Sequence, residues 1–350
     1  MSRAKNVKLV FGENLLTLDK EEKRFATPEI VALYRAERLA CKVIVDLCSG
    51  YGFQAFAFSQ FCNKVISVEL DPEKISKAKE HARILGIKNI TFICGDVLNQ
   101  KTVLRIVGEN ADVIFCDPER LAAEKERGIS TIKPDIKKLL ELYRSITEQI
   151  AIEFPPHIRG LDFDAEYEYL SLDGAVNRLT LYFGALKTAG KSVVLLPFGD
   201  RIEESKEKVT FASKNSTEGY KYILEPDPAV TLANLFAEAF CLDMKQLSIM
   251  AETNKIVIIN QGNKIFFLSN NKPDCHFFTC YQILHEIDSD DKNKIVDLLK
   301  EECVEKVVLR YPIEPDKYWH ERKFFEDKLE HGYKTIHLFK FDMMLLAEKV

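Results

Sequence analysis

Eight residues between two apolar runs, VDLCSGYG from Val45 to Gly52, crowd an aspartate and two glycines into one turn. Asp46, Cys48, Gly50 and Gly52 fit a strand that ends in a tight loop, where glycine lets the backbone approach a ligand and the next helix aims its free amides at it. A nucleotide-like ligand is the natural occupant. Two more carboxylates close later apolar runs, Glu69 in VELDP and Asp96 in GDV. The first can accept from both ribose hydroxyls, and the second from an adenine amino group. The plainer alternative is a glycine turn with carboxylates that face solvent or cap helices, and a lone glycine motif weighs little against it. The order and spacing of the three favour a ligand. A fourth stretch, VIFCDPER, sets Asp117, Pro118 and Arg120 just past another apolar run. Asp117 could accept a proton or hydrogen bond from an amine or ring nitrogen, while the Pro118 carbonyl orients the same group. Arg120 can stack on a base, or pair with phosphate, a carboxylate or Glu119.

These residues need a scaffold that brings strand ends together. Val43 to Leu47, Lys64 to Glu69, Asn89 to Cys94 and Ala111 to Cys116 read as buried parallel strands. Phe53 to Phe61, Pro72 to Leu85 and Lys101 to Val107 read as helices, with Asp71 and Asn99 as N-caps and Gly86 as a stop. A helix over Asp135 to Gln149, a strand over Ile150 to Phe154 and a strand pair around Asp173-Gly174 follow. This alternation predicts an α/β fold with a doubly wound sheet. Beyond Lys191 to Phe198 come a polar stretch, a helical pattern over Pro228 to Phe240, and from Lys255 short strands around two helices, a smaller α+β domain. The expected organisation is residues 1–200 as the first domain, with 1–42 a helical lead-in, 201–254 a connecting helical segment, and 255–350 an accessory domain.

Composition sets bounds on function. The 350 residues carry a net charge of −5, which argues against a broad basic coat for nucleic acid but leaves room for a local groove. No apolar run approaches the roughly 20 residues of a spanning helix, and the first ten residues lack the apolar middle of a secretory signal, so a cytoplasmic protein with no membrane partner is expected. The nine cysteines include no Cys-x-x-Cys pair, and buried thiols are expected rather than disulfides. Cys275, His276, Cys280 and His285 match no standard zinc spacing, and no metal is expected.

VDLCSGYG, VELDP, GDV and VIFCDPER resemble motifs I, post-I, II and IV of class I S-adenosylmethionine-dependent methyltransferases, over Val43 to about Gly184. The resemblance implies a Rossmann-like methyltransferase sheet with S-adenosylmethionine as cofactor. It carries Asp46, Cys48, Gly50, Gly52, Glu69, Leu70, Asp96 and Val97 over as cofactor-binding, and Asp117, Pro118 and Arg120 as the acceptor-side set. Cys48 departs from the pattern, standing where many members have glycine. A nicotinamide enzyme shares the early motifs but has no need of Asp117-Pro118. Thr27-Pro28 resembles an element that contacts the donor in some adenine methyltransferases, although a proline in a first helical turn after a Thr N-cap explains it equally. RFATPEIVALYRAERLA, EYEYLSLDGAVNRLTLYFGAL and YILEPDPAVTLANLFAEAF are similar to a bacterial and archaeal methyltransferase family with a C-terminal THUMP-like domain, which implies RNA, tRNA or rRNA, as partner.

The substrate stays open at this level. Where amino-methylating nucleic-acid enzymes have a base-stacking aromatic, this chain has Arg120. Uracil C5 chemistry needs a cysteine nucleophile after the fifth strand, and IEFPPHIRG has none. N-methylation of an RNA base leads. A small-molecule or protein methyltransferase and a donor-binding scaffold without catalysis are the rivals. The second half is acidic on balance, which strains the RNA reading unless Lys264, Lys272, Lys306 and Arg310 form a basic face.

Overall fold

The computed structural model describes residues 26–120, 128–213, 217–242, 244–253, 255–287, 291–330 and 332–350. The chain forms two compact units that divide between Arg201 and Ile202. In the first, α1 (Glu29–Arg38), β1 (Val43–Leu47), α2 (Phe53–Phe61), β2 (Lys64–Glu69), α3 (Pro72–Ile84), β3 (Ile90–Cys94), α4 (Gln100–Val107) and β4 (Val113–Cys116) alternate much as the periodicity predicts. The helix signals act as read: the Asp71 carboxylate accepts from the Glu73 and Lys74 amides, Asn99 accepts from Lys101, and Gly86 turns the chain at φ 69°. A two-stranded ribbon, β5 (Glu119–Arg120) and β6 (Ile132–Lys133), follows β4. Next comes α5 (Ile136–Tyr143), shorter than the expected helix to Gln149. After Tyr143 the chain turns back into the sheet, and the Thr147 hydroxyl donates to the Asp112 carbonyl at 3.0 Å instead of continuing a helix.

The sheet is completed by β7 (Ile150–Phe154), β8 (Glu166–Leu172), β9 (Ala175–Tyr182), β10 (Lys191–Leu196) and β11 (Asp200–Glu203), in the order β11-β10-β8-β9-β7-β4-β1-β2-β3. Strands β3, β2, β1, β4 and β7 are mutually parallel, and β9 runs antiparallel beside β7. Alternation sends Val45, Leu47, Ile114, Cys116, Ile150 and Ile152 to one face, against Ile106, Leu139 and Tyr143. It sends Ile44, Phe115, Ala151 and Tyr182 to the other, against Ala32, Ala36 and Phe58.

The second unit is an eight-stranded mixed sheet. Its strands are β12 (Ala212–Ser213), β13 (Tyr222–Pro226), β14 (Ile256–Gln261), β15 (Lys264–Ser269), β16 (Phe278–Ile287), β17 (Val304–Leu309), β18 (Lys334–Lys340) and β19 (Met344–Lys349), in the order β12-β14-β15-β13-β16-β19-β18-β17. β13 sits inside the sheet between β15 and β16, so the segment read as a helical connector, 201–254, carries a central strand of this unit. The helical pattern after it breaks at Asn234, φ 58°, into Pro228–Ala233 and Phe236–Ala239. Helices α9 (Lys292–Glu301) and α10 (Pro315–Glu326), numbered after Met244–Glu252 as α8, pack Ile295, Leu299 and Phe325 on one face of the sheet. No helix among the described residues is long and apolar enough to cross a membrane.

Candidate active site

Because β1, β2, β3 and β4 are parallel neighbours, their carboxyl ends share one edge, where open α/β sheets take ligands. Leaving β1, Cys48 (φ 59°), Gly50 (φ 55°) and Gly52 (φ 84°) all adopt left-handed backbone. A Cβ at Gly50 would meet nothing within 4 Å, so glycine there opens space. At Gly52 a Cβ would lie 3.0 Å from the Phe56 ring and 3.2 Å from Ala78. Gly52 is the cap residue of α2 and supplies no side chain to its first amides. Cys48 holds the same backbone with a side chain, a strain of about 1 kcal/mol. Its thiol bonds to Cys116, which together with burial pushes the Cys116 thiol well up.

Glu69 is buried, and its carboxylate is partly engaged already. Oε2 accepts from the Gly50 amide at 2.8 Å, and Oε1 accepts from Leu70 at 2.8 Å and Asp71 at 3.0 Å. Glu69 thereby pins the glycine turn to the end of β2, a role the sequence did not reveal. The next side chain, Leu70, is 66% exposed on this edge. Asp96 uses Oδ1 on the Leu98 amide at 2.8 Å, and buried Val97 accepts the Tyr143 hydroxyl at 2.9 Å. Thr27 lies before α1, whose cap residue is Pro28, so the expected Thr N-cap is absent. Thr27 is buried nonetheless, and its neighbour Ala26 packs with Tyr51 of the glycine turn.

Asp46 is the chemical anomaly of the edge. It is 1% exposed, and neither carboxylate oxygen has a hydrogen-bond partner. Burial pushes its carboxyl well above the ordinary range, the negative Asp117 adds to this, and Arg35 opposes it. Asp117 follows β4, its amide 3.4 Å from the Leu47 carbonyl, and Pro118 is buried behind it. The Arg120 backbone lies in β5, and its side chain falls outside the described atoms, as does that of Glu119.

Three charged residues that sequence reading passed over complete this edge. Glu153, 1% exposed on β7, is ion-paired with both Arg35 of α1 and Arg178 of β9. Arg35 also donates to Gln54 at 2.7 Å and stacks over Phe115 at 4.9 Å. A charged residue inside the buried run of IEFPP was the available signal, but its partners lie far away in sequence. In contrast, His157 is exposed in the following loop. Cys275 donates to the Ala239 carbonyl at 3.2 Å, and no group of three metal-ligating side chains occurs among the described residues.

The sheet order, with parallel strands followed by an antiparallel pair, is a Rossmann-like α/β fold that the chain shares with a solved structure. A crystal structure from Porphyromonas gingivalis W83, described only provisionally as a methyltransferase, matches 96% of this chain and 84% of its own at a TM-score of 0.75 and 16% identity. Residues 41–120 match the family model for RNA cap guanine-N2 methyltransferase. An uncharacterized S-adenosylmethionine-dependent methyltransferase of Mycobacterium tuberculosis is 25% identical over 218 residues, 60% of this chain and 57% of that one. The trimethylguanosine synthase of Schizosaccharomyces pombe is 36% identical over 107 residues, 29% of this chain and 44% of its own. The chain thus spans about half the length of these two relatives, 57% of the first and 44% of the second.

Proposed function

We propose that the protein is a cytoplasmic S-adenosylmethionine-dependent methyltransferase that N-methylates a base in RNA, tRNA or rRNA being the leading candidates. The observation that carries the reading is the buried, unpartnered Asp46 carboxylate beside the open glycine turn: a buried anion without a partner calls for a cationic ligand. S-adenosylmethionine carries an ammonium group, and when bound it supplies a methyl on a positively charged sulfur open to in-line attack. Asp46 and the Cys48-Gly50-Gly52 turn would hold its amino-acid end, Glu69 its ribose, and Leu70, Asp96 and Val97 its adenine, with Thr27 beside the turn. Asp117 and the Pro118 carbonyl would align the acceptor nitrogen and Asp117 would take its proton, since alignment and exclusion of water supply most of such a barrier reduction. The family match over 41–120 and the relatives named for RNA support an RNA acceptor. A THUMP-like role for the second unit, with RNA as its partner, belongs to the same proposal.

A small-molecule or protein acceptor is the second reading, and one feature favours it: Lys264 and Arg310, two of the four residues suggested for a basic face, are both paired with Glu225. The test is donor binding by calorimetry and methyl transfer to bulk tRNA and rRNA. Glu69→Ala should weaken donor binding at least about tenfold, ~1.4 kcal/mol. Asp117→Ala should abolish transfer with donor affinity nearly unchanged. Unaltered binding in the first variant, or wild-type turnover in the second, would overturn the assignment.

A further inference from the structure

Glu153 on β7 and Arg178 on β9 lie outside the four motifs VDLCSGYG, VELDP, GDV and VIFCDPER. The register of β4 with β7 pairs Phe115 with Ala151 and Cys116 with Ile152, so its continuation brings Asp117 beside Glu153. On the other side, β7 pairs Phe154 with Leu179, which leaves Arg178 just past the carboxyl end of β7, at the ligand edge. Residue parity agrees: Phe115, Ala151 and Tyr182 share one face of the sheet, and Asp117, Glu153 and Arg178 fall in the same alternation. A β-bulge reinforces the arrangement. Leu170 pairs with Arg178 but Ser171 pairs with Val176, so Asn177 is the extra residue, and bulges commonly re-aim side chains next to active sites. Arg178 is ion-paired to the fully buried Glu153, retains 18% side-chain exposure, and feels the negative charge of Asp117.

We propose that Arg178, anchored by Glu153, is the positioning residue that holds the Asp117 carboxylate ionised and oriented toward the acceptor. The inference rests on the proposed role of Asp117. The logic is electrostatic balance. Among the described residues, Asp117, Glu69 and Glu153 act as negative charges on Asp46 and Arg35 opposes them, while Arg178 answers both Glu153 and Asp117. Arg35 is committed to Glu153 and Gln54, deep in the sheet. Among the described residues, that leaves Arg178 as the cation facing Asp117. Without it, Asp117 and Glu153 would stand side by side with Arg35 the remaining described cation, and Asp117 would be pushed toward its protonated form, with less capacity as an acceptor.

The test reads Asp117 directly in the full chain, by carbon NMR of carboxyl-labelled aspartate, with the resonance assigned through Asp117→Asn. Arg178→Met should raise the Asp117 titration midpoint by about one pH unit or more, and Arg178→Lys should restore most of it. Glu153→Gln should move it the opposite way by removing a neighbouring negative charge. If Arg178→Met fails to fold, Arg178→Gln replaces it with the same expected direction. A midpoint that stays put in the neutral variant, or that lysine does not restore, overturns the proposal. Because this readout needs no substrate, its failure is separable from failure of the methyl-transfer reading, which would appear instead as turnover surviving in Asp117→Ala.

Discussion

Asp46 costs the ligand-free protein stability where it stands. Its carboxyl is raised in the folded state, chiefly by burial, so the native chain holds that proton more tightly than the unfolded one. Its contribution to stability therefore falls as pH rises from the ordinary carboxylate range through the raised value. Asp46→Asn removes the charge without changing shape. The variant should melt at a higher temperature than wild type at neutral pH, with a flatter pH dependence, while losing donor affinity at least about tenfold. Thermal melts with and without S-adenosylmethionine check both halves, and a variant that melts lower yet binds as well would refute the pairing with the donor's ammonium. The places of Asp46 and Glu69 at strand ends on one edge were legible in the sequence alone. That one is orphaned and the other already holds three amides was not, because both facts depend on groups supplied by other strands and turns.

Among the elements, β8 carries the polar anchor of the far side of the sheet. Glu166 is fully buried yet accepts from the Thr188 amide at 2.9 Å and the Ser192 hydroxyl at 2.5 Å, and pairs with Arg38 at 2.9 Å and Arg201 at 2.7 Å. Arg38 in turn stacks on Tyr182 at 3.6 Å, tying α1 to β8 and β9. Burial pushes the Glu166 carboxyl up, but the hydrogen bonds and arginines outweigh it and bring it down to about 2. A depressed carboxyl gives stability that is fully present above the ordinary carboxylate range and lost as pH falls toward 2, the reverse of Asp46. Glu166→Ala leaves Arg38 and Arg201 with Glu168 alone and should destabilise the unit by about 1–3 kcal/mol, read by denaturant unfolding. A loss under about 1 kcal/mol would mean the network contributes no more than a surface pair does. EYEYLSL is visible as a strand, but the pairing of Glu166 with α1 is not, since Arg38 is far off in the chain.

At the scale of the molecule, the charges of the second unit bear on the proposed RNA acceptor. Its sheet holds a half-buried network in which Arg310 donates to the Tyr281 hydroxyl at 2.5 Å and to His337 Nδ1 at 3.2 Å, while Tyr281 donates to Glu225 at 2.9 Å. Burial, then Arg310, bring His337 down to about 4, so it is neutral at physiological pH and adds no positive charge. With Lys264 and Arg310 balanced by Glu225, two of the four cations expected of an RNA-binding face are already paired, and the salt dependence of binding should be shallow. Anisotropy titrations of the full chain with tRNA should give a log–log slope no steeper than about −3, a few phosphate contacts. Absence of any salt-dependent binding to tRNA or rRNA would shift the assignment to a small-molecule or protein acceptor.

The sequence by itself determined the first unit's strands and helices and the order of its ligand-edge residues, because those signals are local: β-branched runs, Asp71 and Asn99 caps, glycines that free a turn. It misread elements where a local signal met a longer-range demand. Tyr222–Pro226 lies in the segment read as a helical connector, yet it is a central strand because β15 and β16 pair with it on both sides. The helix expected to reach Gln149 stops at Tyr143 because the chain must re-enter the sheet as β7. The tertiary structure alone decided the electrostatics of the site. Arg35, Asp46, Asp117, Glu153 and Arg178 come from five elements spread over more than a hundred residues, and sheet register brings them to one edge. Charge interactions inside a protein depend on distance and burial, and both are fixed only when the strands pair.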